Sequence, residues 1–173
     1  MRIVFPLKLV TIALSFVLAI GCFFWPTLPV SANNFAETII AKVLSFSGDR
    51  PSNLGVKNGK LSSCPDSLNC VSSESTDADN QIAPLTYEST PEEAIAQLKE
   101  ILRAIDNAEI ITAKDDYLYA EFTSKLMGFV DDVEFYLDRE AEIIQVRSAS
   151  RLGESDLGVN RQRIEDIRAK FNG

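Results

Sequence analysis

Four runs of alternating apolar and polar residues in the second half of the chain constrain its fold more than any other feature. They span Ala108 to Ala113, Tyr117 to Ser124, Val130 to Leu137 and Ile143 to Ala149. Alternation with a period of two is typical of strands, because successive side chains point to opposite faces of a sheet. The turns between the runs are short, which favours antiparallel neighbours. The pattern predicts a four-stranded, mainly antiparallel sheet.

One helix is predicted before these strands and one after them. Thr90, Pro91 and Glu93 supply an N-cap, a proline in the first helical position and a capping-box partner. The second helix is predicted from about Asn160. Apolar residues recur at helical spacing in both helices: Ile95, Leu98, Ile101, Leu102 and Ile105 in the first, and Ile164, Ile167 and Phe171 in the second. The order predicts a two-layer α+β domain over residues 80–173, with both helices packed on one face of the sheet.

The period of two divides the strand side chains between an apolar and a polar face. The apolar face, expected against the helices, carries Leu118, Ala120, Phe122, Val133, Phe135, Leu137, Ile144 and Val146. The polar face carries Tyr117, Tyr119, Glu121, Thr123, Asp132, Glu134, Tyr136, Gln145 and Arg147. We expect Arg147 to pair with Glu134 or Asp132 across the ladder. Two interpretations stay open: a solvated face with modest ion pairs, which is the favoured one, and a tyrosine-rimmed pocket for a small ligand.

The first 32 residues have the composition of an export segment. Arg2 and Lys8 precede a stretch without charge from Leu9 to Ala32, and small residues at 30–32 resemble a cleavage site. This pattern predicts a secretory signal peptide cleaved after Ala32. An uncleaved anchor helix remains an alternative, because about 20 apolar residues span a bilayer. A lipoprotein box ending at Cys22 is a weaker alternative, since the apolar run continues beyond it. All three predict export.

Residues 33–79 connect this segment to the predicted domain. An amphipathic stretch, Asn33 to Ser47, precedes a loop rich in Ser, Gly, Asn, Asp and Pro. Turn-forming residues separate Cys64 from Cys70, so the two sulfurs can meet, and an exported chain encounters an oxidising compartment. We therefore expect a Cys64–Cys70 disulfide, with a redox pair as the less favoured alternative. No further cysteine of the mature chain and no histidine completes a zinc site, and no metal or cofactor is predicted.

The ionisable residues exclude several classes of function. The chain has 17 Lys and Arg, 25 Asp and Glu, and no His, which gives a net charge of −8. Without histidine there is no Ser-His-Asp or Cys-His catalysis. The acidic balance argues against nucleic-acid binding, which needs clustered basic residues. Removal of residues 1–32 leaves 15 basic and 25 acidic residues, a net charge of −10.

Basic residues gather near the C-terminus, around the turn-rich loop RLGESDLGVN. They are Arg147, Arg151, Arg161 and Arg163. Arginine forks, exposed amides and a helix N-terminus can together bind an anion. Structural ion pairs with the acidic sheet account for the same pattern, and this interpretation is slightly favoured.

Three segments resemble the domain of unknown function 1499 family: NLGVKNGKLSSCPDSLNCVSS, FVDDVEFYL and VRSASRLGESDLGVNRQRIEDIR. The similarity runs from about Pro51 to Lys170. Leu68 stands where the family usually has proline, and Glu154 where it has an aromatic residue. The resemblance implies an exported or membrane-associated protein, in the periplasm or the thylakoid lumen, and no established reaction. The family's motif positions are Asp131, Asp132, Glu134, Arg147, Ser148, Ser150, Arg151, Asp156, Asn160 and Arg161.

Three functions stay open, and the first is an exported accessory domain that binds a small acidic ligand or a protein partner. Its candidate site residues are Asp132, Glu134, Arg147, Ser148, Ser150, Arg151, Asp156, Asn160 and Arg161. Serine hydroxyls and arginine forks would supply directed donors, and the carboxylates would hold the arginines in place.

The second function is a histidine-free hydrolase or transferase. Asp132 or Glu134 would be the base, Arg147 the electrostatic stabiliser, and Ser148 or Ser150 the nucleophile. The sequence has no nucleophile elbow, P-loop or lysine-activated serine motif, so a non-catalytic domain is favoured. The third function is a structural role at a membrane surface, as an assembly factor attached through the N-terminal segment.

Overall fold

A computed structural model describes residues 46–173. Its strands are β1 (Cys70–Ser72), β2 (Leu85–Thr86), β3 (Ala108–Ala113), β4 (Tyr117–Thr123), β5 (Val130–Asp138) and β6 (Ile143–Ser150), and its helices are α1 (Pro91–Arg103) and α2 (Val159–Phe171). The predicted signal or anchor helix lies outside the described residues, as does nearly all of the amphipathic stretch. Within residues 46–173, neither helix is both long enough and apolar enough to span a bilayer.

The sheet has six antiparallel strands, not the four predicted. Its order is β1-β6-β5-β4-β3, and β2 also pairs with β6. The extra strands β1 and β2 contain only three and two residues, too few for alternation to reveal them. Their pairing with β6 puts Cys70 opposite Ala149 and Leu85 opposite Ile144. The α+β class is confirmed.

Both helices pack on the apolar face of the sheet, as predicted. In α1, the Thr90 hydroxyl accepts a hydrogen bond from the Glu93 amide at 3.3 Å, and the Glu93 carboxylate accepts one from the Thr90 amide at 3.0 Å. This capping box contributes about 1 kcal/mol. The helices bury Ala94, Ile95, Leu98, Leu102, Ile164, Ile167 and Phe171 against the strand residues predicted for this face. Each fully buried leucine or isoleucine contributes about 2 kcal/mol.

The opposite, polar face is covered by residues 46–62, here called the strap. Leu54, Val56 and Leu61 of the strap pack with Tyr117 and Tyr119 of β4. These tyrosines are 6% and 3% exposed. The favoured prediction of a solvated polar face is therefore wrong, because a strand pattern carries no information about a distant segment that lies over it.

Candidate functional site

The covered face carries five charged side chains in one group, here called the carboxylate–arginine cluster: Glu121 of β4, Asp132 and Glu134 of β5, Arg147 of β6, and Arg151 just beyond it. Strand register brings them together, because Glu121 lies opposite Asp132 and Glu134 lies opposite Arg147. Of the two partners predicted for Arg147, Glu134 is the one it contacts, with 3.2 Å between Nη1 and Oε2.

Arg151 binds Asp132 through two parallel hydrogen bonds. Its Nε donates to Oδ2 at 3.0 Å, and its Nη2 donates to Oδ1 at 2.7 Å. Nη2 also contacts Glu121 and lies 3.2 Å from the Tyr119 hydroxyl. The Arg151 side chain is 6% exposed. The hydrogen bonds to Asp132 raise the pKa of Arg151 above its ordinary value, so the guanidinium stays charged.

Glu121 joins this group to the strap. Arg50 of the strap donates from Nε to Glu121 Oε1 at 2.6 Å. Burial acts to raise the pKa of Glu121, but hydrogen bonds from Arg50, Tyr119 and Arg151 outweigh it, and the pKa lies below its ordinary value. The sequence did not indicate this contact of Arg50 with the cluster, because no motif surrounds Arg50.

Glu134 is fully buried and holds the middle of the strap. Its Oε1 accepts hydrogen bonds from the Gly55 amide at 2.7 Å and from the Tyr117 hydroxyl at 2.8 Å. Burial, followed by the negative charge of Glu134, raises the pKa of Tyr117, so this phenol stays protonated. Arg147 supports Glu134 through Nη1, while its buried Nε has no hydrogen-bond partner within residues 46–173.

Apart from Arg147 Nε, the donors described above are directed at the carboxylates of the cluster itself. Glu121, Asp132 and Glu134 face Arg147, Arg151 and the half-exposed Arg50. An acidic ligand would have to displace these carboxylates, leaving them buried without partners, which is strongly unfavourable. The arrangement is that of an internal ion-pair network that fastens the strap to the sheet.

The serines predicted to join Arg147 and Arg151 lie on the other face of the sheet. Ser148 donates from Oγ to Asn160 Oδ1 at 2.6 Å, and Asn160 Nδ2 donates to Ser150 Oγ at 3.0 Å. Arg163 of α2, one of the arginines predicted around the anion site, donates to Ser148 Oγ at 3.0 Å and pairs with Asp131. We call Asp131, Ser148, Ser150, Asn160 and Arg163 the strand–helix cluster.

This division weakens the proposed serine chemistry. Because the sheet lies between them, Asp132 and Glu134 are on the face opposite Ser148 and Ser150. Ser148 is fully buried and engaged with an amide and a guanidinium. A serine nucleophile needs a base within hydrogen-bond reach, and neither predicted carboxylate fulfils that role here.

The two remaining predicted residues form backbone contacts. Asp156 accepts from the amides of Gly158 at 2.9 Å and Asn160 at 2.7 Å, so its own carboxylate occupies the start of α2 where an anion was predicted. Arg161 donates to the carbonyl oxygens of Gln81 at 2.8 Å and Asp79 at 2.9 Å. Both side chains hold chain segments in place.

The disulfide prediction is confirmed. Cys64 and Cys70 are bonded, with 5.7 Å between their Cα atoms. The bridged loop also carries Asn69, a residue absent from the predicted site, whose carbonyl accepts from the Asn160 side chain at 3.0 Å. Within residues 46–173, no three His, Cys, Asp or Glu side chains converge as metal ligands.

A family model described as "Protein of unknown function (DUF1499)" matches residues 60–171. The chain belongs to the DUF1499 family. The matched region contains the whole strand–helix cluster and all five members of the carboxylate–arginine cluster, whereas Arg50 and most of the strap precede it. The comparison with curated proteins found no match.

One end of the DUF1499 domain presents a different surface. The exposed large apolar side chains within residues 46–173 belong to four segments: Phe46 in the strap, Leu68 in the disulfide loop, Leu126, Met127 and Phe129 between β4 and β5, and Leu152, Leu157 and Val159 at and before the start of α2. We call them the apolar end. Leu126 and Leu157 are 91% and 95% exposed.

Direct contacts connect these four segments. The rings of Phe46 and Phe129 stack with 5.3 Å between centroids, and the Phe46 amide donates to the Met127 carbonyl at 3.3 Å. The Leu68 amide donates to the carbonyl of Glu154 at 2.9 Å. An apolar groove of about 310 Å³ lies between the β4–β5 and β6–α2 connections, and Phe129, Leu152 and Leu157 line it. The apolar end is therefore one surface.

Proposed function

We propose that this DUF1499 protein is an exported, non-catalytic accessory domain that acts at a membrane surface through its apolar end. The observation that carries the proposal is the exposure of Leu126 and Leu157 at the tips of two connected loops. Soluble domains rarely expose contiguous apolar patches unless these patches make contacts. A disulfide and an N-terminal stretch with signal-peptide composition support export.

The polar candidate residues support this choice because they contact one another within the protein. Arg147 and Arg151 are directed at buried carboxylates, and Ser148 and Asn160 satisfy each other. Recognition of an acidic ligand by these groups, the function first suggested by the sequence, would require the network to open. The geometry therefore favours the structural role at a membrane over the ligand-binding role.

The position of Phe46 favours a membrane over other contact partners. Phe46 belongs to the apolar end. The sequence upstream of it contains the stretch from Leu9 to Ala32, which carries no charge. An apolar surface at the point where such a chain joins the domain fits a protein that works against the bilayer it crossed or stays attached to.

Thiol labelling in membranes of the exporting host tests the proposal, whether or not the N-terminal segment is cleaved. A Cys22→Ser background removes the cysteine outside the disulfide. Leu126→Cys and Leu157→Cys are then introduced separately, with Ala96→Cys on the exposed side of α1 as the matched control. We expect an impermeant maleimide to label position 96 freely, and positions 126 and 157 only after detergent is added. Equal labelling at all three positions, or recovery of the protein in the soluble fraction alone, would refute the proposal.

A further inference from the structure

The features of the apolar end indicate the chemistry of the surface that it contacts. Resting on the proposed function, we infer that this end inserts into the interface of an uncharged lipid surface, and that apolar burial, rather than attraction between charges, drives the insertion. The inference depends on three features of the end: its support, its protruding leucines and its charge.

The support of the apolar end is closely packed. Gly48 lies just beyond Phe46 and Ser47 and has a φ of +64°. A Cβ atom added to Gly48 would lie 2.8 Å from the Cβ of Arg151. The strap thus packs directly on the segment that carries Leu152, while the disulfide loop contacts the same segment from Leu68. A supported surface loses little conformational entropy when it enters a second phase, so most of the burial free energy is available for binding.

The protruding leucines suit a fluid partner. Leu126 and Leu157 extend from separate loops, one in the β4–β5 connection and one in the β6–α2 connection, and each is more than nine-tenths exposed. A rigid protein partner would need a matching hole for each leucine, whereas lipid acyl chains rearrange around any protruding group. Interfacial binding of this kind scales with the apolar area buried. Each leucine is expected to contribute about tenfold to the insertion equilibrium.

The charges at this end argue against attraction to anionic lipid as the driving force. In the β4–β5 connection the basic residue is Lys125, whose Nζ lies 3.7 Å from Asp106. In the β6–α2 connection Arg151 is buried in the carboxylate–arginine cluster, and the neighbouring Glu154 and Asp156 are acidic. Each free basic residue near a membrane adds about fivefold affinity for anionic lipid. The apolar end offers acidic groups instead, on a chain of net negative charge.

An environment-sensitive fluorophore reports insertion at single positions and does not depend on an N-terminal anchor. The full chain, in whichever processed form the host yields, carries the dye at Leu126→Cys, Leu157→Cys or the control Ala96→Cys in the Cys22→Ser background. It is mixed with vesicles of phosphatidylcholine alone or of phosphatidylcholine with phosphatidylglycerol. We expect a blue shift at 126 and 157 but not at 96, undiminished by high salt and no larger with anionic lipid. Leu157→Ser should lower the insertion equilibrium reported from position 126 about tenfold.

The other outcomes separate the two proposals. A shift that requires phosphatidylglycerol and disappears in high salt overturns the lipid inference and leaves the proposed function intact. No shift in any vesicle, combined with maleimide protection in host membranes, overturns the inference in favour of a membrane protein partner. No shift together with free maleimide labelling in host membranes refutes the proposed function itself.

Discussion

The carboxylate–arginine cluster and the apolar end reverse the usual relation between residue type and burial. Asp132 and Glu134 are 1% and 0% exposed, while Leu126 and Leu157 are 91% and 95% exposed. Charges are tolerated inside a protein only when they are paired, and exposed apolar patches are retained where contacts are made. The residues with the richest chemistry therefore hold this fold together, and the leucines are the side chains that it leaves exposed.

Arg151→Ala is expected to cause the largest loss of stability. The change leaves the Asp132 carboxylate buried without its bidentate partner, so we expect the free energy of unfolding to fall by about 3–5 kcal/mol. Leu157→Ser at the apolar end is the control, with an expected change below about 0.5 kcal/mol. Urea unfolding measures both. If Arg151→Ala is as stable as the natural chain, the guanidinium is not structural and becomes available for a ligand.

A smaller loss of stability is expected from substitutions in the strap, which contacts both the carboxylate–arginine cluster and the apolar end. Gly48→Ala adds a methyl group 2.8 Å from the Arg151 Cβ at a position with φ of +64°. Gly59 has a φ of +73°, and no atom lies within 4 Å of a Cβ added there. Gly59→Ala is therefore destabilised by the backbone strain alone. We expect the free energy of unfolding to fall by about 1 kcal/mol for Gly59→Ala and by about 2 kcal/mol for Gly48→Ala.

Hydrogen exchange should show which part of the protein loses stability in Gly48→Ala. The amides of Gly55 and Leu61, which donate to Glu134 and Glu74, should exchange faster in this variant than in Gly59→Ala. Equal exchange in the two variants would show that the close approach of the strap to Arg151 does not help to hold it on the sheet.

The smallest effect is the contribution of Glu121 to acid sensitivity. Its folded pKa lies below the ordinary value, because hydrogen bonds from Arg50, Tyr119 and Arg151 outweigh the opposing effect of burial. The stabilisation is therefore fully present above the unfolded pKa of about 4.3, and is lost as the pH falls through the folded pKa. Thermal unfolding from pH 7 to pH 3 should show a shallower decline for Glu121→Gln. Parallel curves for the two proteins would contradict this role.

Local patterns were sufficient to predict much of the fold. The capping box at Thr90 and the four longer strands involve contacts between near neighbours. The alternation within β5 and β6 narrowed the partner of Arg147 to Glu134 or Asp132, and the strand register selects Glu134. The β1 and β2 strands and the strap depend on distant contacts. Gly55 and Glu134, for example, are 79 residues apart, and no local pattern connects them.

The candidate site was predicted less well than the fold. Ser148 and Arg147 are adjacent in sequence, yet strand alternation sends them to opposite faces, so one predicted site became two clusters. Leu126 and Leu157 lie in the connections between elements, and their exposure is defined only by the folded chain.

The position of β6 has a consequence for the order of assembly. This strand, the last of the sheet in sequence, pairs with β5, β1 and β2. As the chain is made from its N-terminus, β1 and β2 have no partner until Ile143–Ser150 has emerged. The six-residue separation of Cys64 and Cys70 imposes no such delay on the disulfide. A nascent or truncated chain that ends before β6 therefore lacks three strand pairings at once, and the segment that carries β1 and β2 stays exposed to proteases and to aggregation until β6 has been made.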